Sequence, residues 1–496
     1  MIGTTRLFRR FLSLLGPKVM TTVIAVISTP IIVRLLGPGR YGDYAVLLSV
    51  YSLYMIPISA AITEGVQKFV AEDREDDDWI ERVLQFYLVL ALLLAFAGSV
   101  ILVIVTWLGV GATFGEGFSF YFYVLAGFIV VGQFRGLAMH TVLGFGLEHI
   151  KGPLEVLKKS VTVVVGIALV LSGLGVFGML FGHIVANALV ALVGGYAIVT
   201  RISVRKLFSF PRTVSYREFL SFNVLNVVLV LFVMSLFHVD IIMVRTVVGD
   251  EATGYYKAAL ALAEYLWIVP IVLQSLLLHS SSSLWSEERY EQITELAGRI
   301  TRYTTLLILL MAVGLATLAH RVVPLYYGEA FMVSTVPLLL LLPGAVGFAI
   351  ARPLLAICQG SGELKTLILA TGAAATINVV LNGALIPLFG LNGAATATSV
   401  SYGSMFVLLV WAARRTGYDP LVDFRPVRIA LTTITTGVTI FLADSLIGSD
   451  IVSLVVVPVL GLVVFAAIAL VTRAIDVDEV LEILEQVPLP FDIHPP

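Results

Sequence analysis

Charge is scarce in this chain. Only 13% of its 496 residues are Asp, Glu, Lys or Arg, where a soluble domain carries roughly 25%. That shortage excludes a water-soluble globule of this length. Cysteine is scarcer still. Cys358 stands alone, which excludes an intrachain disulfide framework and a metal site built from cysteines. The net charge of -2 and pI near 6.4 leave no basic footprint for a nucleic-acid partner. The chain also lacks a Walker loop, a Ser/His/Asp set and metal-ligand spacing around His140, His183 or His279. An enzyme, an ATP site and a cofactor site therefore have no motif to rest on.

Apolar residues fill the space left by charge. They make up 59% of the chain, and the mean hydropathy is +0.99. A membrane-crossing helix needs about 20 mostly apolar residues. Fourteen candidate spans meet that length, near 13–36, 44–64, 83–107, 118–143, 154–173, 176–200, 219–246, 255–279, 302–325, 332–357, 364–388, 391–413, 428–447 and 451–473. The basic start (Arg6, Arg9, Arg10) runs into an apolar stretch with Lys18 and Pro30 inside it. This reads as an uncleaved first helix and not a signal peptide. The fold class is thus an all-α polytopic membrane protein.

Lysine and arginine orient it. With the loops alternated, the N-terminal side holds 23 of the 31 basic residues, and the other side holds Arg34, Arg40, Arg245, Lys257 and Arg321. Basic loops stay cytoplasmic, so both termini are expected there, in a cell membrane. The acidic run from Glu72 to Asp78 reads as a solvated loop of that side, and Glu64 with Lys68 as a local helix pair.

A repeat organises the spans. Val33-Arg34-Leu35-Leu36-Gly37 followed by Tyr41-Gly42-Asp43-Tyr44 returns as Val244-Arg245-Thr246-Val247-Val248-Gly249 followed by Thr253-Gly254-Tyr255-Tyr256. Gly144-Phe145-Gly146-Leu147-Glu148 returns as Gly360-Ser361-Gly362-Glu363-Leu364, and Gly173-Leu174-Gly175 as Gly390-Leu391-Asn392-Gly393. Six spans separate the copies, so both cross the membrane in the same direction. Parallel repeats enclose a site between two bundles that rock against each other. The division that follows is an N-lobe at 1–200, a basic linker at 201–217, a C-lobe at 218–413, an appended hairpin at 414–474 and a tail at 475–496. Pro30, Pro270, Pro337 and Pro353 are expected to kink helices and serve as hinges.

Four segments resemble the lipid-linked oligosaccharide flippases, the polysaccharide transporter family within the MOP superfamily. They are Arg34-Leu-Leu-Gly-Pro-Gly-Arg-Tyr-Gly-Asp-Tyr44; Asp240-Ile-Ile-Met-Val-Arg-Thr-Val-Val-Gly249 leading into Gly254-Tyr-Tyr-Lys-Ala258; Leu325-Tyr-Tyr-Gly-Glu-Ala-Phe331; and Asn378-Val-Val-Leu-Asn-Gly-Ala-Leu-Ile-Pro-Leu-Phe-Gly-Leu-Asn-Gly-Ala-Ala395. The resemblance covers about residues 10–415. It implies a two-lobe bundle that moves a polyprenyl-linked sugar from the cytoplasmic to the outer leaflet, alongside glycan-assembly enzymes.

Charges at membrane depth are the candidate site. Arg135 lies nine residues before Gly144, and Arg352 eight before Gly360, so each half places a guanidinium about two turns from the cytoplasmic end. Lys18 sits near the same depth. An isolated cation facing lipid costs several kcal/mol, and a wet cavity relieves that cost. Arginine's planar fork suits phosphate oxygens, so Lys18, Arg135 and Arg352 are read as phosphate ligands. Snorkelling to the interface is the competing reading. Asp240 and Glu264 form a second set in the outer half of spans seven and eight. They are read either as groups held by salt bridging or hydrogen bonding within the hairpin or as an H+ or Na+ coupling site. Asn378 and Asn382, four residues apart, read as interhelical hydrogen-bonders or as sugar contacts.

Three rival functions remain open. A MATE-like exporter of small organic molecules would favour acidic and aromatic cavity residues. A membrane glycosyltransferase or polymerase needs a larger outer loop than this chain has. A non-transporting scaffold has little use for buried charge. The orientation itself is testable with membrane-impermeant maleimide. In a Cys358→Ser background, Ser203→Cys and Asp250→Cys are expected to label from opposite membrane faces. Labelling from one face overturns the topology.

Overall fold

In a bilayer no water satisfies backbone N–H and C=O groups, so a spanning chain must close its hydrogen bonds within each helix. The computed structural model follows that rule and describes residues 3–74, 78–115, 117–207 and 224–479. Most of the expected linker at 201–217, the start of the seventh span, part of the acidic run and most of the tail at 475–496 lie outside the described residues. So does the side chain of His279.

Among the described residues, eleven helical segments are long and apolar enough to cross a membrane. Three of them, Gly16–Ala71, Glu148–Val199 and Leu364–Thr416, have 56, 52 and 53 residues. Each holds two of the expected spans, because the chain bends at a glycine without leaving a loop. Gly37 (φ 70°, ψ 173°) and Gly390 (φ 56°, ψ -128°) are non-helical at these bends. Positive φ is strained for any residue with a Cβ.

The first bundle contains α1 (Gly3–Ala71), α2 (Trp79–Trp107), α3 (Phe118–Gly144), α4 (Glu148–Leu169) and α5 (Gly175–Val199). The second contains α6 (Val224–Val247), α7 (Asp250–Glu264), α8 (Ile268–Ser286), α9 (Tyr290–Tyr327), α10 (Thr335–Gly360) and α11 (Leu364–Thr416). Helices of each bundle pack mainly on one another, and α1 also runs along α6 and α7 of the second.

The repeat is visible in backbone angles. Gly249 (φ 122°, ψ -175°) has the extended conformation of Gly37. Gly328 (φ 99°, ψ 160°) matches Gly115 (φ 127°, ψ 169°), a pair the sequence does not advertise. Gly390 matches Gly175 (φ 50°, ψ -130°) and not Gly173, which shifts that repeat by two residues from the alignment by eye. Added Cβ atoms agree. One on Gly178 would strike Leu169, and one on Gly393 would strike Leu385, three residues after each matched glycine.

The bundles close on each other at the side of Gly37 and Gly249, called here the far side; the other is the basic side. The closure is backbone against backbone. A Cβ on Gly42 would lie 2.1 Å from the Asp250 carbonyl oxygen, and one on Gly254 would lie 2.0 Å from that of Pro38. Around this crossing Arg245 pairs with Asp43 at 3.1 Å, His238 Nδ1 is 3.2 Å from Ser49 Oγ, and Arg34 and Tyr326 donate to the carbonyls of Leu325 and Val26.

Pro270 and Pro337 follow 3-10 turns at Tyr265–Trp267 and Glu329–Ser334, inside the continuous helical segments Asp250–Ser286 and Glu329–Gly360. The helix tightens just before each proline, whose ring crowds the carbonyls one turn earlier. Pro30 and Pro353 are inside helices. The remaining helices, α12 (Pro426–Leu446) and α13 (Asp450–Val471), form a hairpin against α9. It is fastened at both ends. Arg321 binds Asp444 (3.0 Å) and Asp450 (2.6 Å). Arg302, fully buried, binds Asp423 (2.7 Å) and Glu479 (2.5 Å).

The glycine crossing yields a prediction. Gly254→Val is expected to force the far side apart, raising far-side maleimide labelling of Ser49→Cys. Unchanged labelling in folded protein would show that the crossing does not set closure.

Candidate functional site

On the basic side the bundles present their cations. Arg135 on α3 is about one quarter exposed and lies 3.6 Å from Glu155 on α4. Lys158, one turn along α4, holds the other oxygen of Glu155 at 2.5 Å. Lys151 also lies within electrostatic range of Glu155. Lys18, exposed on α1, lies within electrostatic range of Glu155 and of Arg352 in the second bundle. The three cations singled out from the sequence therefore border one region, with Lys18 between the arginines.

Arg352 has a different setting from Arg135. It donates to Gln274 Oε1 at 3.1 Å. Its guanidinium lies 4.9 Å from the ring centres of Trp267 and Phe348, and 5.8 Å from that of Phe237. Trp267 is fixed in turn by donation to the Ala345 carbonyl at 2.9 Å. The Nε of Arg352 has no hydrogen-bond partner among the described residues. Cation–π contact stabilises the guanidinium without neutralising it. The difference between the arginines comes from register. Gly146 and Gly362 are equivalent turn glycines, which leaves Arg135 and Arg352 one residue out of step. One residue rotates a side chain by about 100° around a helix, so Arg135 meets α4 and Arg352 meets α8.

A polar and aromatic wall continues from these cations toward the far side. Tyr51, within electrostatic range of Arg135, stacks on Phe128 with ring centres 3.9 Å apart. Tyr44 Oη is 2.7 Å from His183 Nε2. Across the seam Lys257 and Glu264 pair at 3.4 Å, and the hydroxyls of Tyr265 and Tyr326 are 3.1 Å apart.

Asp240 and Glu264, the second candidate set, are held by separate partners on the same hairpin. Glu264 takes Lys257 as partner. Asp240 is fully buried inside the second bundle. Its Oδ2 accepts from Tyr256 Oη (2.5 Å) and Thr398 Oγ1 (3.0 Å), and its Oδ1 accepts from the Ile241 N–H (2.8 Å). Asn378 and Asn382 are fully buried as well. Asn378 Nδ2 donates to Ser401 Oγ, and Asn382 Nδ2 to the Asn378 carbonyl, each at 2.9 Å. Their Oδ1 atoms have no partner among the described residues. Neither amide is exposed in this conformation, and the hydrogen bonds accord with the first of their two readings. They are hydrogen-bonders within the bundle, on the helix that packs against that of Asp240.

Sequence reasoning missed Glu155 and used Lys158 only as a marker of the basic side. The signal was present as a Glu and a Lys three residues apart inside the fifth span. His183 and the box around Arg352 carry no local signal, because each is assembled from separate helices.

Two parallel bundles with a polar seam define a helical transporter fold, that of the MOP superfamily. The lipid II flippase MurJ in an inward closed conformation superposes with a TM-score of 0.76 at 14% identity, over 92% of this chain and 98% of that one. An inward-facing multidrug resistance MATE family transporter of the MOP superfamily gives 0.64 at 18%, over 80% and 94%. More narrowly, the chain belongs to the polysaccharide biosynthesis protein family, which it matches over residues 31–336. Similar proteins include the succinoglycan biosynthesis transport protein ExoT of Rhizobium meliloti (strain 1021), 24% identical over 63% of this chain. The match spans 60% of ExoT's length. The probable low-salt glycan biosynthesis flippase Agl15 of Haloferax volcanii is 21% identical over 76% of each chain.

The Asp240 cluster predicts a stability effect. Tyr256→Phe removes one donor to a fully buried carboxylate and is expected to cost about 1–3 kcal/mol. Thermal unfolding in detergent should register a lower midpoint. An unchanged midpoint would mean that Asp240 does not draw on this bond.

Proposed function

We propose that this protein moves a polyprenyl-linked oligosaccharide, joined through phosphate or diphosphate, from the cytoplasmic to the outer leaflet of the cell membrane. The observation that carries the reading is the meeting of Lys18, Arg135 and Arg352 from both bundles, away from the closed far side. The glycan flippases and transport protein among the relatives support the same substrate class. Basic loops orient this side, and both termini, toward the cytoplasm.

The cations bind the linking phosphate, where arginine's fork and Lys18's mobile ammonium match its oxygens. The sugar lies against the wall of Tyr44, His183, Lys257 and Glu264, rings and hydrogen-bonding groups suited to a hydroxylated face. The lipid stays in the bilayer. Rocking of the N-lobe (1–200) against the C-lobe (218–413) then breaks the Gly42–Gly254 crossing and opens the site outward. Glycan-assembly enzymes on the two faces supply and consume the substrate. Asp240 is the group that couples transport to H+ or Na+. It is a fully buried carboxylate without a cationic partner in contact, whereas the charge of Glu264 is matched by Lys257.

An exporter of organic cations is disfavoured by the surplus of positive charge at the site. Arg135→Ala combined with Arg352→Ala is expected to abolish movement of lipid-linked oligosaccharide in reconstituted vesicles, while the protein remains folded and monodisperse. Full transport by that double variant would sink the assignment.

A further inference from the structure

Glu155 is out of place in an anion site. It lies beside Arg135 (3.6 Å) and Lys158 (2.5 Å), with Lys18 and Lys151 also in electrostatic range. A carboxylate there opposes the charge of the phosphate the site is read as binding. Yet it is part-exposed, about one third, and its two oxygens are divided between cations on different helices, α3 and α4. Neither contact is bidentate. The 3.6 Å approach of Arg135 exceeds a charge-assisted hydrogen bond of about 2.7–2.9 Å, so the guanidinium is held near the carboxylate and not locked to it. Lys158, three residues along the same helix, retains Glu155 as a local partner whatever Arg135 does.

We propose that Glu155 is a displaceable internal counter-ion that occupies Arg135 between transport cycles and yields it to the phosphate of the substrate. The proposal rests on the phosphate-binding reading above. The physical reason is electrostatic. Clustered, partly exposed cations repel one another, and an anchored carboxylate offsets that repulsion when no substrate is bound. On loading, a phosphate group displaces it, because phosphate carries more charge and more acceptor oxygens than a carboxylate. Glu155 then swings toward Lys158. On release it competes for Arg135 again and speeds departure. Glu155 is thus a positioning residue whose charge sets how tightly the headgroup is held.

The test measures binding and release of radiolabelled farnesyl diphosphate, a short prenyl diphosphate, by the purified full chain in detergent. Glu155→Gln keeps the shape and removes the charge. It is expected to bind roughly tenfold more tightly, with most of the gain in slower release. Glu155→Asp is expected to stay close to wild type. If wild type binds and Arg135→Ala weakens binding, but Glu155→Gln binds equally or more weakly, the counter-ion role is overturned while the phosphate reading stands. If wild type does not bind the probe, or binds it independently of Arg135 and Arg352, the phosphate reading fails and this inference with it.

Discussion

At Gly42 the backbones of the two bundles approach so closely that a methyl group would stand 2.1 Å from the Asp250 carbonyl oxygen, and Gly254 makes the reciprocal approach to Pro38. The rest of the seam depends on that crossing. It joins α1 to α7 at one membrane face. The Arg245–Asp43 pair and the bonds from Arg34 and Tyr326 add directional contacts around it. Because the contact is made by backbone, little side-chain rearrangement can relieve it.

Charge is distributed to suit this division of labour. Inside the second bundle, Asp240 is surrounded by three donors and fully withdrawn from solvent. At the hairpin, Arg302 and Arg321 each hold two carboxylates and tie α12 and α13 to α9. At the hairpin the ionic groups are matched by opposite charge, whereas Asp240 is held by hydrogen bonds alone. The basic side is different. There Arg352 rests among aromatic rings with Glu264 only within electrostatic range, and Lys18, Arg135, Lys151 and Lys158 gather around Glu155, with Glu64 also near Lys151. Unbalanced charge at membrane depth is expensive unless it meets water or a ligand. That surplus separates the candidate site from the structural ion pairs.

Duplication produced the two bundles, but the site is not a duplicate. The turn glycines retain nearly the same backbone angles in both halves, since a tight bend in a membrane helix tolerates few alternatives. The arginines drifted one residue out of step, and that step redirected one toward a carboxylate and the other toward an aromatic box.

Composition and periodicity alone determined that this is a membrane protein, where its helices fall, how they repeat and which cations lie at depth. These properties are local, because hydrophobic length and glycine turns are written in consecutive residues. Tertiary structure alone decided what surrounds each charge. Nothing near Asp240 in sequence announces Thr398, and nothing near Arg352 announces Trp267. Asn378 and Asn382 were legible as polar, yet only packing turned them inward. Glu155 became part of the site because α3 and α4 lie side by side. Contacts between distant segments depend on rotation and register, and a shift of one residue changes the partner.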